Sequence, residues 1–191
     1  MNDLAFYFKE GWHHIISLNA LDHQLFIIAL SAIYLLKDWK QVLVLVTAFT
    51  IGHSITLALS IYNVAHANEK WVEFLIPCTI IITAIFNLTK KKFDQQKLQS
   101  NYFLALFFGL IHGLGFANTI RFMMAKDQQI GWSLLGFNIG LEIGQILIVG
   151  ITLMASFLIV SLAGLNRKWW VFILSIITLL IATKFAVERI P

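Results

Sequence analysis

The chain has one cysteine, Cys78, and two prolines, Pro77 and Pro191. A single cysteine excludes an internal disulfide and any paired-cysteine metal or redox motif. Set in an apolar run, Cys78 reads as a small packing residue. Charge is also scarce. Asp, Glu, Lys and Arg make up 13% of the 191 residues, against about 25% in a soluble domain. No phosphate-binding glycine loop or other nucleotide site is present, which excludes ATP-driven pumping by this chain alone. Met1–Glu10 lacks a basic region followed by an apolar core and a small-residue cleavage site, so no cleaved signal peptide is expected. Alternating polarity of the kind a transmembrane barrel needs is missing too.

Solid apolar runs are there instead. The chain is 59% hydrophobic with a mean hydropathy of +0.79, and the excess is spread over nearly its whole length. The expectation is an all-α polytopic transmembrane helix bundle forming one domain over 1–191. Six spans are expected near 15–36, 41–63, 71–89, 101–124, 131–163 and 169–187. The first starts with a polar patch, Trp12-His13-His14, and its start reads as interfacial. The fifth exceeds a perpendicular crossing and should tilt or protrude.

Lys37, Lys40, Lys90, Lys91, Lys92, Lys97, Arg167 and Lys168 fall on one side. That is eight of the fourteen basic residues. By the positive-inside rule both termini lie outside. In such a chain the net charge of +4 reports orientation rather than nucleic-acid binding.

Ionisable residues inside hydrocarbon are costly and default to functional sites. Five stand out: Asp22, His23, His53, His112 and Glu142. At about 1.5 Å of rise per residue, His53 and His112 lie roughly 18 and 16 Å from the inner ends of their spans, and Glu142 roughly 15 Å from its outer end. In a core about 30 Å thick all three are near the midplane. Asp22 and His23 lie closer to the outer face. Four spans thus bring carboxylates and imidazoles to similar depths, and one shared polar cavity is expected.

Supporting residues follow helical spacing. Ser54 and Thr56 accompany His53, and Asn138 and Gln145 share a face with Glu142. His14 completes the supporting set. Glycine stripes at Gly109/Gly113 and Gly136/Gly140/Gly144 allow close backbone approach, which would bring His112 and Glu142 together.

Each residue also has a plainer reading. A lone intramembrane His is often packed against a carbonyl, Glu142 could bridge helices, the glycines could be packing alone, and His13, His14 and Glu73 read as solvated. The conjunction of three His and two carboxylates favours a site. Imidazole with carboxylate suits borderline divalent metals such as Ni, Co or Zn, with hydroxyls or amides orienting the rings.

The motifs Gly11-Trp-His-His14, Leu21-Asp22-His23-Gln-Leu-Phe, Thr47-Ala-Phe-Thr-Ile-Gly-His53-Ser54, Phe108-Gly-Leu-Ile-His112-Gly and Phe137-Asn138-Ile-Gly-Leu-Glu142-Ile-Gly-Gln145 resemble the HupE/UreJ family of bacterial membrane proteins. The resemblance runs from about residue 11 to 150. It implies a location in the bacterial inner membrane and nickel or cobalt uptake for metalloenzyme maturation. In one branch of that family a His–Pro element precedes the Asp-His pair. Asp22-His23 match the pair, the His–Pro element is absent, and the sequence is closer to a second branch.

The first expectation is therefore a permease for a divalent transition metal, a secondary transporter rather than an enzyme. Asp22 and His23 would capture the ion, and His53, His112 and Glu142 would relay it. Two alternatives stay open: an intramembrane zinc-dependent hydrolase, and a non-transporting accessory protein of metalloenzyme maturation. The expected partners are the lipid bilayer and the metal ion. No nucleic acid is expected, and homo-oligomers and maturation partners stay open.

Overall fold

A computed structural model describes residues 3–65, 67–90, 98–124 and 129–191. Lys91, Lys92 and Lys97, which entered the reading of the loops, lie outside the described residues. Among the described residues the chain is a helical bundle without strands: α1 Asp3–Ile16, α2 Leu21–Ser31, α3 Trp39–Ile61, α4 Glu69–Thr89, α5 Leu98–Met124, α6 Ile130–Ser156 and α7 Arg167–Glu188. Five helices, α3 to α7, are long and apolar enough to cross a membrane. Their outward faces are apolar, as at Ile139, Ile143 and Ile146 of α6 and Phe172, Ile173 and Leu180 of α7. Surfaces of that kind suit lipid rather than water.

The first apolar segment differs from its expected form. The run near 15–36 is not one continuous helix. It is the second part of a pair, α1 and α2, broken at Ser17–Ala20, with a 3-10 turn over Leu18–Ala20. The pair runs beside α6 over its length. Leu4 meets Gly136, Phe8 meets Gly140 and Ile15 meets Gly144. Beyond the break, Ser156 donates to the Tyr34 carbonyl at 3.5 Å. The Gln24 amide secures the break by donating to the Ile15 and Ser17 carbonyls, both at 2.9 Å. The Ile15 carbonyl lies in the last turn of α1, where helical carbonyls lack intrahelical partners, and the Ser17 carbonyl also accepts from the Ala20 N–H at 3.0 Å.

The glycine stripes serve other partners than expected. A Cβ on Gly140 would stand 2.0 Å from the Phe8 carbonyl oxygen, so the stripe on α6 admits α1. A Cβ on Gly109 would stand 2.2 Å from the Phe49 carbonyl oxygen, so the stripe on α5 admits α3. Neither stripe pulls His112 onto Glu142. Both bring the helices that carry His14 and His53 in toward the middle of the bundle. The long segment near 131–163 runs as α6 and then winds into a π-helical stretch, Phe157–Leu162.

Candidate metal centre

The break in the first segment lies where the imidazoles gather. His14 ends α1, His23 begins α2, and His53 comes from the middle of α3. One ligand atom from each of these three rings lies within 4.8 Å of the others. The ring centres are 4.9 Å apart for His14 and His23, 6.1 Å for His14 and His53, and 5.9 Å for His23 and His53. His112 of α5 stands next to this group, its ring 4.8 Å from that of His23 and edge-on to it. His53 and His112 are fully buried and His23 nearly so. Aromatic rings wall the cluster: Phe49 against His112 at 5.1 Å, and Phe116 against His14 at 4.1 Å.

Hydrogen bonds engage one ring nitrogen of His23 and one of His112. Asp22 Oδ1 accepts from His23 Nδ1 at 3.0 Å, so the lone pair of His23 sits on Nε2. On α4, the Thr79 hydroxyl donates to the Ile76 carbonyl at 2.7 Å. The same hydroxyl is in hydrogen-bond contact with His112 Nε2 at 3.0 Å. With Nε2 engaged by Thr79, Nδ1 is the His112 nitrogen left without a hydrogen-bond partner. The nitrogens His14 Nε2, His23 Nε2, His53 Nδ1, His53 Nε2 and His112 Nδ1 are buried without a hydrogen-bond partner. Each such atom, if left unpaired, costs about 1–3 kcal/mol. Imidazole nitrogens converging in one place are the donor set of a borderline divalent metal, so the residues fit an ion held by nitrogen. An Asp behind a ligating His, as Asp22 stands behind His23, fixes the ring and raises its basicity.

A cavity of about 300 Å³ reaches this group, with His14, Asp22, His23, His112, Glu73 and Arg189 in its wall. Asp22 meets it already engaged. Its Oδ1 also accepts from the His23 backbone N–H at 2.8 Å, and its Oδ2 accepts from Arg189 Nη1 at 3.1 Å. Asp22 therefore reaches the cluster through His23.

The remaining residues singled out from the sequence are placed elsewhere. Glu142 Oε1 accepts from the Thr47 hydroxyl at 2.7 Å. Thr47 lies six residues before His53 on α3, roughly 9 Å along the helix. Gln145 Oε1 accepts from Thr50 at 2.8 Å, and Asn138 Oδ1 is buried without a partner. Ser54 donates to the Thr50 carbonyl and Thr56 to the His53 carbonyl, so their hydroxyls serve backbone rather than an imidazole ring.

Sequence reasoning missed Thr79, Arg189 and Gln24, and it gave His14 only a supporting part. For His14 a signal existed. Tyr7, Gly11, His14 and Ile15 share one helical face, and Tyr7, Gly11 and Ile15 are buried, whereas the adjacent His13 is exposed. For Arg189, 167 residues from its partner, no local pattern exists.

A family model described as HupE / UreJ protein matches residues 1–189, and the chain belongs to that family. No curated protein and no solved structure matches the chain.

Proposed function

We propose that this member of the HupE/UreJ family is a membrane permease for a divalent transition metal of the nickel or cobalt type. The observation that carries the reading is the convergence of His14, His23 and His53, with ligand atoms within 4.8 Å of one another, at a helix break beside an accessible cavity. Broken helices are a recurring way for transporters to form an ion site inside the membrane. Three imidazoles leave the ion's shell open, and an open shell permits exchange. A permease must release its ion.

In this reading the protein lies in a bacterial inner membrane with both termini outside, and the cavity opens outward. The ion passes Glu73 at the cavity wall and binds His23 Nε2, His14 and His53. His112 Nδ1, next to His23, is the following stop. Glu142 stands apart from the ligands and serves a different step, balancing charge across the membrane.

The experiment is uptake of Ni²⁺, Co²⁺ and Zn²⁺ into right-side-out vesicles containing the wild type or His53→Ala at equal abundance. Uptake by the wild type and its loss in the variant are expected. Tight retention of zinc without uptake would point to the hydrolase instead. No metal bound at all would leave the accessory role.

A further inference from the structure

Asp22 sits one residue from a metal-directed imidazole and in the wall of the same cavity. A free carboxylate there would add a hard oxygen ligand to any ion in the cavity. Its outer oxygen is not free. Arg189, just past the end of α7, donates from Nη1 to Asp22 Oδ2 at 3.1 Å. Arg189 is itself half-buried, and its guanidinium carbon lies 5.3 Å from the centre of the Phe185 ring. The neighbouring Glu188 is paired with Lys184 at 3.6 Å, and Arg189 is paired with Asp22 at 3.1 Å. With Oδ1 on His23 and Oδ2 on Arg189, both oxygens are committed.

We infer that Arg189 is the residue that sets ion specificity, by keeping the Asp22 carboxylate out of the ion's coordination shell. The inference rests on the permease reading of the His14–His23–His53 site and adds its selectivity. Imidazole nitrogen suits Ni, Co and Zn, whereas carboxylate oxygen suits Mg, Ca and Mn. With Oδ2 held, the ion meets nitrogen and feels Asp22 only through His23. The Arg189 charge also offsets that of Asp22. Arg189 is a positioning residue in this scheme, because it touches the carboxylate and not the ion.

The test is competitive titration of purified full-length protein with Ni²⁺ and Mn²⁺, for the wild type, Arg189→Gln, Arg189→Lys and the double variant Arg189→Gln/Asp22→Asn. Arg189→Gln should lower the preference for Ni²⁺ over Mn²⁺ at least tenfold, through tighter Mn²⁺ binding. Arg189→Lys keeps the pairing and should stay within threefold of the wild type. The double variant, lacking the carboxylate, should recover the preference.

An unchanged preference in Arg189→Gln overturns the inference. So does a parallel loss of both affinities, the mark of a merely structural role. Should Arg189→Gln fail to fold, Asp22→Asn decides alone. With Arg189 in place its Ni²⁺-over-Mn²⁺ preference should stay within threefold of the wild type, and a loss confined to Mn²⁺, which would mean that Asp22 already ligates, overturns the inference. A wild type that binds neither ion removes the permease reading itself. That outcome is distinct from a wild type that binds Ni²⁺ while Arg189→Gln changes nothing.

Discussion

His14→Ala is the substitution that separates the three-imidazole site from a site built on His23, His53, His112 and Glu142. His14 supplies one of three ligand atoms gathered within 4.8 Å. Loss of a partner standing behind a metal ligand costs 10–100-fold in affinity. Loss of the ligand itself should cost about 100-fold or more, roughly 2.8 kcal/mol at 1.4 kcal/mol per tenfold.

The effect on folding should be smaller. The ring packs on Phe116 at 4.1 Å and on Phe137 at 5.8 Å, and each aromatic pair contributes about 0.5–1.5 kcal/mol. The ring also borders an existing cavity, so truncation enlarges a space already open. The assay is Ni²⁺ and Zn²⁺ titration of purified protein beside its thermal unfolding, with His13→Ala as the control. His13 is one residue away and exposed, and its loss should leave binding unchanged. Wild-type affinity in His14→Ala, or equal losses in the two variants, would refute the reasoning.

Glu142→Gln should leave metal affinity within about threefold, because Glu142 bonds Thr47 and not the imidazoles; equilibrium titration checks this, and uptake beside membrane abundance shows whether its step lies in transport. Affinity should fall as pH is lowered, since protons compete for the imidazole lone pairs that bind the ion; titrations at a series of pH values should give a monotonic loss, and an affinity that rises on acidification would contradict nitrogen ligation. Gly140→Ala should destabilise the protein by about 1–3 kcal/mol, since its Cβ would stand 2.0 Å from the Phe8 carbonyl oxygen, and should weaken metal binding too, because α1 carries His14. Thermal unfolding and titration of the same sample read both effects.

The helical membrane class was legible because lipid-facing and packed surfaces are both apolar, which leaves long unbroken runs in α3 to α7. His23, His53 and His112 were legible because an ionisable group in such a run is conspicuous. The break at 17–20 was not. Ser17-Leu18-Asn19-Ala20 contains no proline or glycine, and the break is held by a side chain from the following helix, Gln24. With the break unseen, α1 read as an interfacial lead-in and His14 as its solvated neighbour. The direction Glu142 takes was not legible for a related reason. Depth along a helix can be counted from the sequence, but direction around the bundle depends on which helix fills each glycine stripe. Here α1 fills the stripe on α6, and Glu142 turns to Thr47 instead.

X-ray absorption of the purified protein loaded with zinc or nickel tests the imidazole site most directly. A shell of nitrogen donors with the outer-sphere signature of imidazole is expected, at about 2.0–2.1 Å for zinc, and each of His14→Ala, His23→Ala and His53→Ala should diminish it. An all-oxygen shell, or an imidazole shell that survives His14→Ala and His53→Ala unchanged, would contradict the three-histidine site.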